Sequence, residues 1–201
     1  NIGVEWQLTM GAIAGGAVAL SFWGEENWIT LPLMFGAAIA VRMAYAAIPA
    51  FLKTRFGVNE ILTSLMLTYV ATLFLSTLVY GPLKDPLGFN FPQSRMFGDD
   101  ALLPILLSGT RLHLGTLVAL AVAVAGWVLM SFTIVGFQVR VLGQAPAAAR
   151  YAGFSAKRIV WFCLLLSGGL AGLAGLFEVA GPIGQLVPSI SPGYGFTAII
   201  V

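Results

Sequence analysis

Charge is what this sequence has least of. Only 9% of its 201 residues are Asp, Glu, Lys or Arg, and 59% are hydrophobic, against roughly 25% charged in an average soluble domain. So little charge cannot cover a water-facing surface, which excludes an ordinary soluble domain. The net charge of +2 is too small and too dispersed to hold a phosphate backbone, which excludes nucleic-acid binding. One cysteine, Cys163, and one histidine, His113, leave no disulfide framework, no CxxC pair and no metal-ligand cluster. They leave no nucleophile–base pair either. Neither HExxH nor GxSxG occurs, so no residue is expected to be catalytic and an intramembrane enzyme is not indicated. GxxxxGK[ST] is also missing, so this chain does not hydrolyse ATP by P-loop chemistry.

What is there is apolar sequence in long runs. Stretches nearly free of charge cover 6–24, 27–48, 61–83, 114–139, 159–177 and 179–201. Most approach the roughly 20 residues that a helix needs to cross the hydrocarbon core. The expected fold is all-α, a polytopic transmembrane helical bundle of about six spans or part-spans, making one transmembrane domain over 1–201. The chain opens on Asn1 and its last apolar run stops at Val201 with no flanking cation or turn, which reads as the middle of a longer protein cut at both ends. Residues 1–6 carry Glu5 and no basic region, unlike a cleavable signal peptide.

The cations orient the bundle. Lys53 and Arg55 fall between the second and third runs, and Arg140, Arg150, Lys157 and Arg158 between the fourth and fifth. The positive-inside rule then makes 49–59 and 135–158 cytoplasmic. GEEN at 24–27 and the long segment 81–113 face outward; the latter, punctuated by Pro and Gly, reads as an ordered cap, either a solvated connector or a docking surface for an external partner. Arg42 falls inside the second run, under two turns from Pro49, and snorkelling toward the cytoplasm is the expected escape from lipid. Asn59 reads as the N-cap of the third run, with Glu60 in its first turn. Glu178 reads as interfacial, near the outer side. GAIAG at 11–15 and GGLAG at 168–172 are small-residue patterns read as helix packing.

Between the fourth and fifth runs stands QAPAAARYAGFSAKRIV, 144–160. Pro146 suits a first helical position and Gly153 the position just past an end, so PAAARYA predicts a cytoplasmic helix of about two turns. Ser155 is placed to cap the next span. Small alanines let another surface approach the backbone, and Arg150 and Tyr151 offer specific contacts; the residues alone also fit an interfacial connector.

This segment resembles the cytoplasmic loop of bacterial ABC-importer permeases of the ribose, branched-chain amino acid and nucleoside type. NIGVEWQLTMGA (1–12), RFGVNEILTSLMLTYVA (55–71), GPLKDP (81–86), FPQS (91–94), GTRLHLG (109–115) and SPGYGFTAI (191–199) are similar, in order, to the nucleoside and simple-sugar branch of that superfamily. The resemblance implies a permease subunit in the bacterial plasma (inner) membrane that carries nucleosides or related simple sugars. It implies three partners: a separate ATP-binding-cassette ATPase, a second permease subunit of paralogous sequence, and an extracytoplasmic substrate-binding lipoprotein. This chain would bind no cofactor, ATP and magnesium being used by the ATPase. Pro146, Ala147, Ala148, Ala149, Arg150, Tyr151, Ala152 and Gly153 would form the helix that couples to it. One departure is Trp6, where the family's NIGxEGQ pattern has Gly.

Cargo contacts are expected in two places. GPIGQLVPSISPGYG, 181–195, holds four glycines and three prolines and cannot be one regular helix, so it is either a broken or re-entrant segment near the pathway or an outer loop. Its Gln185, Ser189, Ser191 and Tyr194 suit sugar hydroxyls or a nucleobase. Asn1, Glu5 and Gln7 form a second polar cluster, which the resemblance puts near the translocation path. The rival reading is a self-contained secondary transporter or channel. Such proteins carry ionisable groups within their spans, and Arg42 alone is clearly intramembrane here.

Overall fold

The computed structural model describes residues 4–24, 28–89, 91–107, 109, 110, 112–190, 193 and 197, with 4–7 described by their backbone alone. Among these residues the chain makes seven α-helices: α1 Val4–Ser21, α2 Thr30–Phe56, α3 Glu60–Tyr80, α4 Leu114–Phe132, α5 Ile134–Gln144, α6 Pro146–Tyr151 and α7 Ala156–Glu178. A π turn, Val179–Ile183, extends α7. The fold is the expected all-α bundle. Four helices are long and apolar enough to cross a membrane: α2, α3, α4, and α7 with its π turn.

The core is a three-helix contact of α1, α2 and α7, and glycine makes it possible. A Cβ on Gly11 would lie 2.4 Å from the carbonyl oxygen of Gly172, and one on Gly168 would lie 2.6 Å from the Cβ of Ala46. Gly172 faces Ala38 and Gly168 faces Ala46, so α2 and α7 run antiparallel. The two small-residue patterns therefore meet each other, as packing motifs do. Met34, Ala38, Leu176 and Val179 fill the interior above them. α3 adds Leu75 and Val79 to this cluster. α4 stands apart, with 6% of its apolar window buried; its exposed Leu, Val and Trp side chains suit lipid, which is as apolar as they are.

Three boundaries differ from the sequence reading. Pro49 does not end α2, which runs through it to Phe56 and closes on Gly57 in the left-handed conformation. Pro49 is fully buried, so packing offsets the hydrogen bond its ring removes. The run 114–139 is not one span: it breaks at Thr133, whose Oγ donates to the Leu129 carbonyl (2.6 Å) and accepts from the Gly136 amide (3.1 Å). Nor does a new span begin at 179. Residues 179–183 finish α7, and 184–190 have no regular structure.

Lys53, Arg55, Arg140, Arg150, Lys157 and Arg158 fall at one end. Trp161 near the start of α7 donates to Thr54 near the end of α2 (3.1 Å), and Lys53 pairs with Glu60 across the α2–α3 turn. Asn59 caps α3 as expected, accepting from the Ile61 amide (2.9 Å). At the opposite end, the described residues of 81–113 form a cap in which Ser94, Phe97, Ala101 and Leu103 are buried. Trp23, past the end of α1, donates to the Met96 carbonyl (3.1 Å). Arg95 lies over the Trp23 ring, 4.8 Å from its centroid.

Arg42 corrects the snorkelling expectation. It is fully buried in the middle of α2, its stem against Gly172, where a Cβ would come within 2.2 Å of its Cγ. Its guanidinium carbon lies 5.8 Å from the Tyr45 ring centroid. A glycine opposite gives the side chain room inside the protein, so it need not extend to the headgroups.

Candidate functional site

The short helix α6 lies where the sequence places it, at the cation-rich end between α5 and α7. Pro146 occupies its first turn. Its end is a complete Schellman closure: Gly153, at φ +77°, donates to the Arg150 carbonyl (3.1 Å), and Phe154 donates to the Ala149 carbonyl (2.9 Å). The Phe154 ring then packs edge-on against Phe137 of α5, with centroids 6.3 Å apart. Ser155 does stand at the N-cap of α7, but its side chain makes no capping bond there.

Two backbone bonds and one ring contact thus hold a six-residue helix rigidly. Only Ala149 faces inward; Pro146, Ala147, Ala148, Arg150, Tyr151, Ala152 and Gly153 are exposed. Tyr151 is 95% exposed, and with Ala147 and Arg150 it borders a surface depression. An exposed aromatic beside an arginine is a combination enriched at protein–protein interfaces.

α6 is tied to the bundle through α5. That helix turns back on the end of α4 at Thr133, where a Cβ on Gly136 would sit 2.4 Å from the Leu129 carbonyl oxygen. Arg140 donates to the Met130 carbonyl and fastens the same corner. α5 and α6 therefore form an arm that leaves the end of α4 at Thr133.

The expected cargo residues divide. Asn1, Ser191 and Tyr194 lie outside the described residues, as do the side chains of Glu5 and Gln7; the backbone of the latter two opens α1. Gln185 is half-buried and donates to the Gln93 side chain (3.5 Å), while Ser189 is exposed. The stretch after α7 is held by the described residues of the 81–113 segment. Ser94 and Leu186 exchange bonds of 2.9 and 2.8 Å, Phe97 donates to Gly184 (2.8 Å), and Leu103 donates to Ala180 (2.8 Å). Its described part is thus a broken helix end covered by protein at the end opposite α6.

Sequence reasoning missed a half-open cavity of about 620 Å³ between α3, α5, α7 and the end of α2, near the cation-rich end. Ser64, Ser167 and Cys163 line it, with the Lys53–Glu60 pair. The available signal was Ser64, one turn beyond Glu60 and so on the same helix face.

With this geometry in view, known proteins supply the class. The chain matches, over residues 1–201, the family described as branched-chain amino acid transport system / permease component, and it belongs to that family. It is 44% identical over 99% of its length to the glucose ABC transporter permease protein TsgB13 of Haloferax volcanii, spanning 54% of that protein. It is 35% identical over its full length to the guanosine ABC transporter permease protein NupP of Bacillus subtilis, spanning 58% of it. A second Bacillus subtilis relative, the guanosine ABC transporter permease protein NupQ, is 26% identical over 99% of the chain and is spanned to 64%. The chain therefore covers little more than half the length of these relatives. No solved structure matches it. Four helices long and apolar enough to cross a membrane, together with the family, make this part of an integral membrane protein.

Proposed function

We propose that this chain is part of a permease subunit of an ATP-binding-cassette importer that conducts nucleosides or simple sugars across the plasma (inner) membrane. The observation that carries this reading is α6. It is a pinned helix at the cation-rich end, with Tyr151 95% exposed and joined to the spans by the α5 arm. Closure of a partner ATPase against α6 would turn the arm about Thr133 and transmit the push to α4 and α7. ATP and magnesium belong to that partner. Residues 146–153 are the coupling surface.

The relatives support the cargo class, since one is named for glucose and two for guanosine. Two distinct guanosine permeases in one organism favour a paralogous second subunit. The ordered cap at 81–113 suits docking of a substrate-binding lipoprotein on the outer face. Asn1, Glu5, Gln7, Gln185, Ser189, Ser191 and Tyr194 remain the proposed pathway residues.

The test is co-purification of the full-length parent protein from its own membranes, intact and with 146–153 replaced by a Gly/Ser linker. An ATPase subunit retained by the intact form and lost from the linker form supports the proposal. Equal retention by both, or none by either, refutes a coupling role for α6.

A further inference from the structure

We infer that the cavity between α3, α5 and α7 is an inward-side subsite for the transported solute, and that it takes an uncharged polyhydroxylated molecule; this rests on the importer reading. The volume, about 620 Å³, falls within the roughly 300–1,000 Å³ of small-molecule pockets. The walls have the usual make-up of such a site: apolar surface from Ile61, Leu142, Val160 and Leu164, with a few polar groups set among them. Ser64 and Ser167 supply hydroxyls from facing helices, which suit the alternating donors and acceptors of a ribose or hexose.

Charge decides the solute class. Among the described residues the charged lining groups are Lys53 and Glu60, and they pair with each other. The cavity thus has no net charge and offers no counter-ion to a phosphate, a carboxylate or an amine. A lipid tail fits less well, because the hydroxyls and the ion pair would face hydrocarbon.

The cavity's wall also links it to ATP. Val139, Leu142 and Gly143 of α5 form one side, and α5 runs directly into α6. A push on α6 moves that wall and changes the room available, so occupancy and ATPase contact are coupled through one helix.

Two residues make the inference testable. Cys163, the sole cysteine of this sequence, lines the cavity as a native reporter. Gly143 lines it too, and a Cβ there would meet nothing within 4 Å, so a large side chain enters empty space. The experiment uses the full-length protein in its complete transporter, reconstituted in vesicles, with guanosine, uridine and glucose as probes and sucrose as the control. N-ethylmaleimide modification of Cys163 is followed by mass spectrometry, and a Cys163→Ser variant confirms the assignment.

The solute that the wild type imports is expected to slow modification by a factor of 1 + [L]/Kd, about tenfold at about ten times Kd, and sucrose is expected to leave the rate unchanged. Gly143→Trp is expected to assemble, hydrolyse ATP and lose both import and protection, while Gly143→Ala retains both. An imported solute that leaves the Cys163 rate unchanged overturns the inference and leaves the importer reading standing. So does a Cys163 that never reacts, which marks a cavity filled by lipid or by another transmembrane segment. If Gly143→Trp does not assemble, the labelling arm decides. If the wild type imports none of the probes under ATP, the importer reading fails and the subsite falls with it.

Discussion

Gly175 and Leu8 touch backbone to backbone: a Cβ on the glycine would stand 1.9 Å from the leucine carbonyl oxygen. Here α7 meets α1 with no side chain between them, the closest approach that two helices can make.

Gly175→Ala should therefore force the helices apart, since backbone cannot yield as a flexible side-chain tip can. A loss on the order of 3 kcal/mol is expected, read as a lower unfolding temperature of the purified transporter in detergent. Gly126 in α4 provides the contrast. A Cβ there meets nothing within 4 Å, so Gly126→Ala should be neutral or stabilising by roughly 0.5–1 kcal/mol. Equal effects of the two substitutions would contradict the α1–α7 contact.

Thr133 makes the second prediction. Its hydroxyl satisfies the Gly136 amide at the start of α5, and Thr133→Val keeps the shape while removing the acceptor. The lost cap costs about 1 kcal/mol, so amide exchange at the first turn of α5 should quicken by about fivefold if that turn opens locally. Exchange in α7 should not change.

How far the sequence goes is clear from which residues were readable. Pro146 and Gly153 announced α6 because each imposes its own backbone conformation, whatever surrounds it. The glycines at 11–15 and 168–172 announced packing because, without a Cβ, each lets a neighbouring helix come close. Thr133 gave no such signal, since a threonine within an apolar run looks like any other; only the close return of α5 on α4 gives it a role. The second run reads as ending at 48, yet buried Pro49 lets α2 continue through it to Phe56. The cavity was invisible, since its lining comes from four helices whose mutual placement no local pattern encodes. Gln185 was readable as polar, but its Gln93 partner lies 92 residues away.

Arg42 was misjudged from its own helix, because Gly172 on α7 makes its space. Arg42→Ala should leave a void in the three-helix contact and cost roughly 2–5 kcal/mol, as large-to-small core changes do. Arg42→Met retains most of the stem volume without the charge. If the stem is what matters, Met restores stability to near wild type in thermal unfolding. If Met is as damaging as Ala, the guanidinium itself holds the contact together.

The proposed coupling helix separates stability from function most sharply. Tyr151 is 95% exposed, so Tyr151→Ala should alter folding stability by no more than about 0.5 kcal/mol. As a central aromatic anchor it should be worth at least about 2 kcal/mol to the ATPase interface, which weakens ATPase binding about thirtyfold. The same separation appears at Gly153, by a different route. At φ +77° a β-branched residue is strained by roughly 1–2 kcal/mol, so Gly153→Val should distort the Schellman closure and misaim Tyr151 while the bundle stays folded. Asn tolerates that conformation, and Gly153→Asn should keep most of the transport. ATPase affinity, ATP-driven uptake and unfolding temperature measured on the three variants decide the matter. Uptake lost in Tyr151→Ala and Gly153→Val but kept in Gly153→Asn, at near-constant stability, marks α6 as the transmitting element. Normal uptake in Tyr151→Ala and Gly153→Val makes it a connector, and the push from ATP then enters the spans elsewhere.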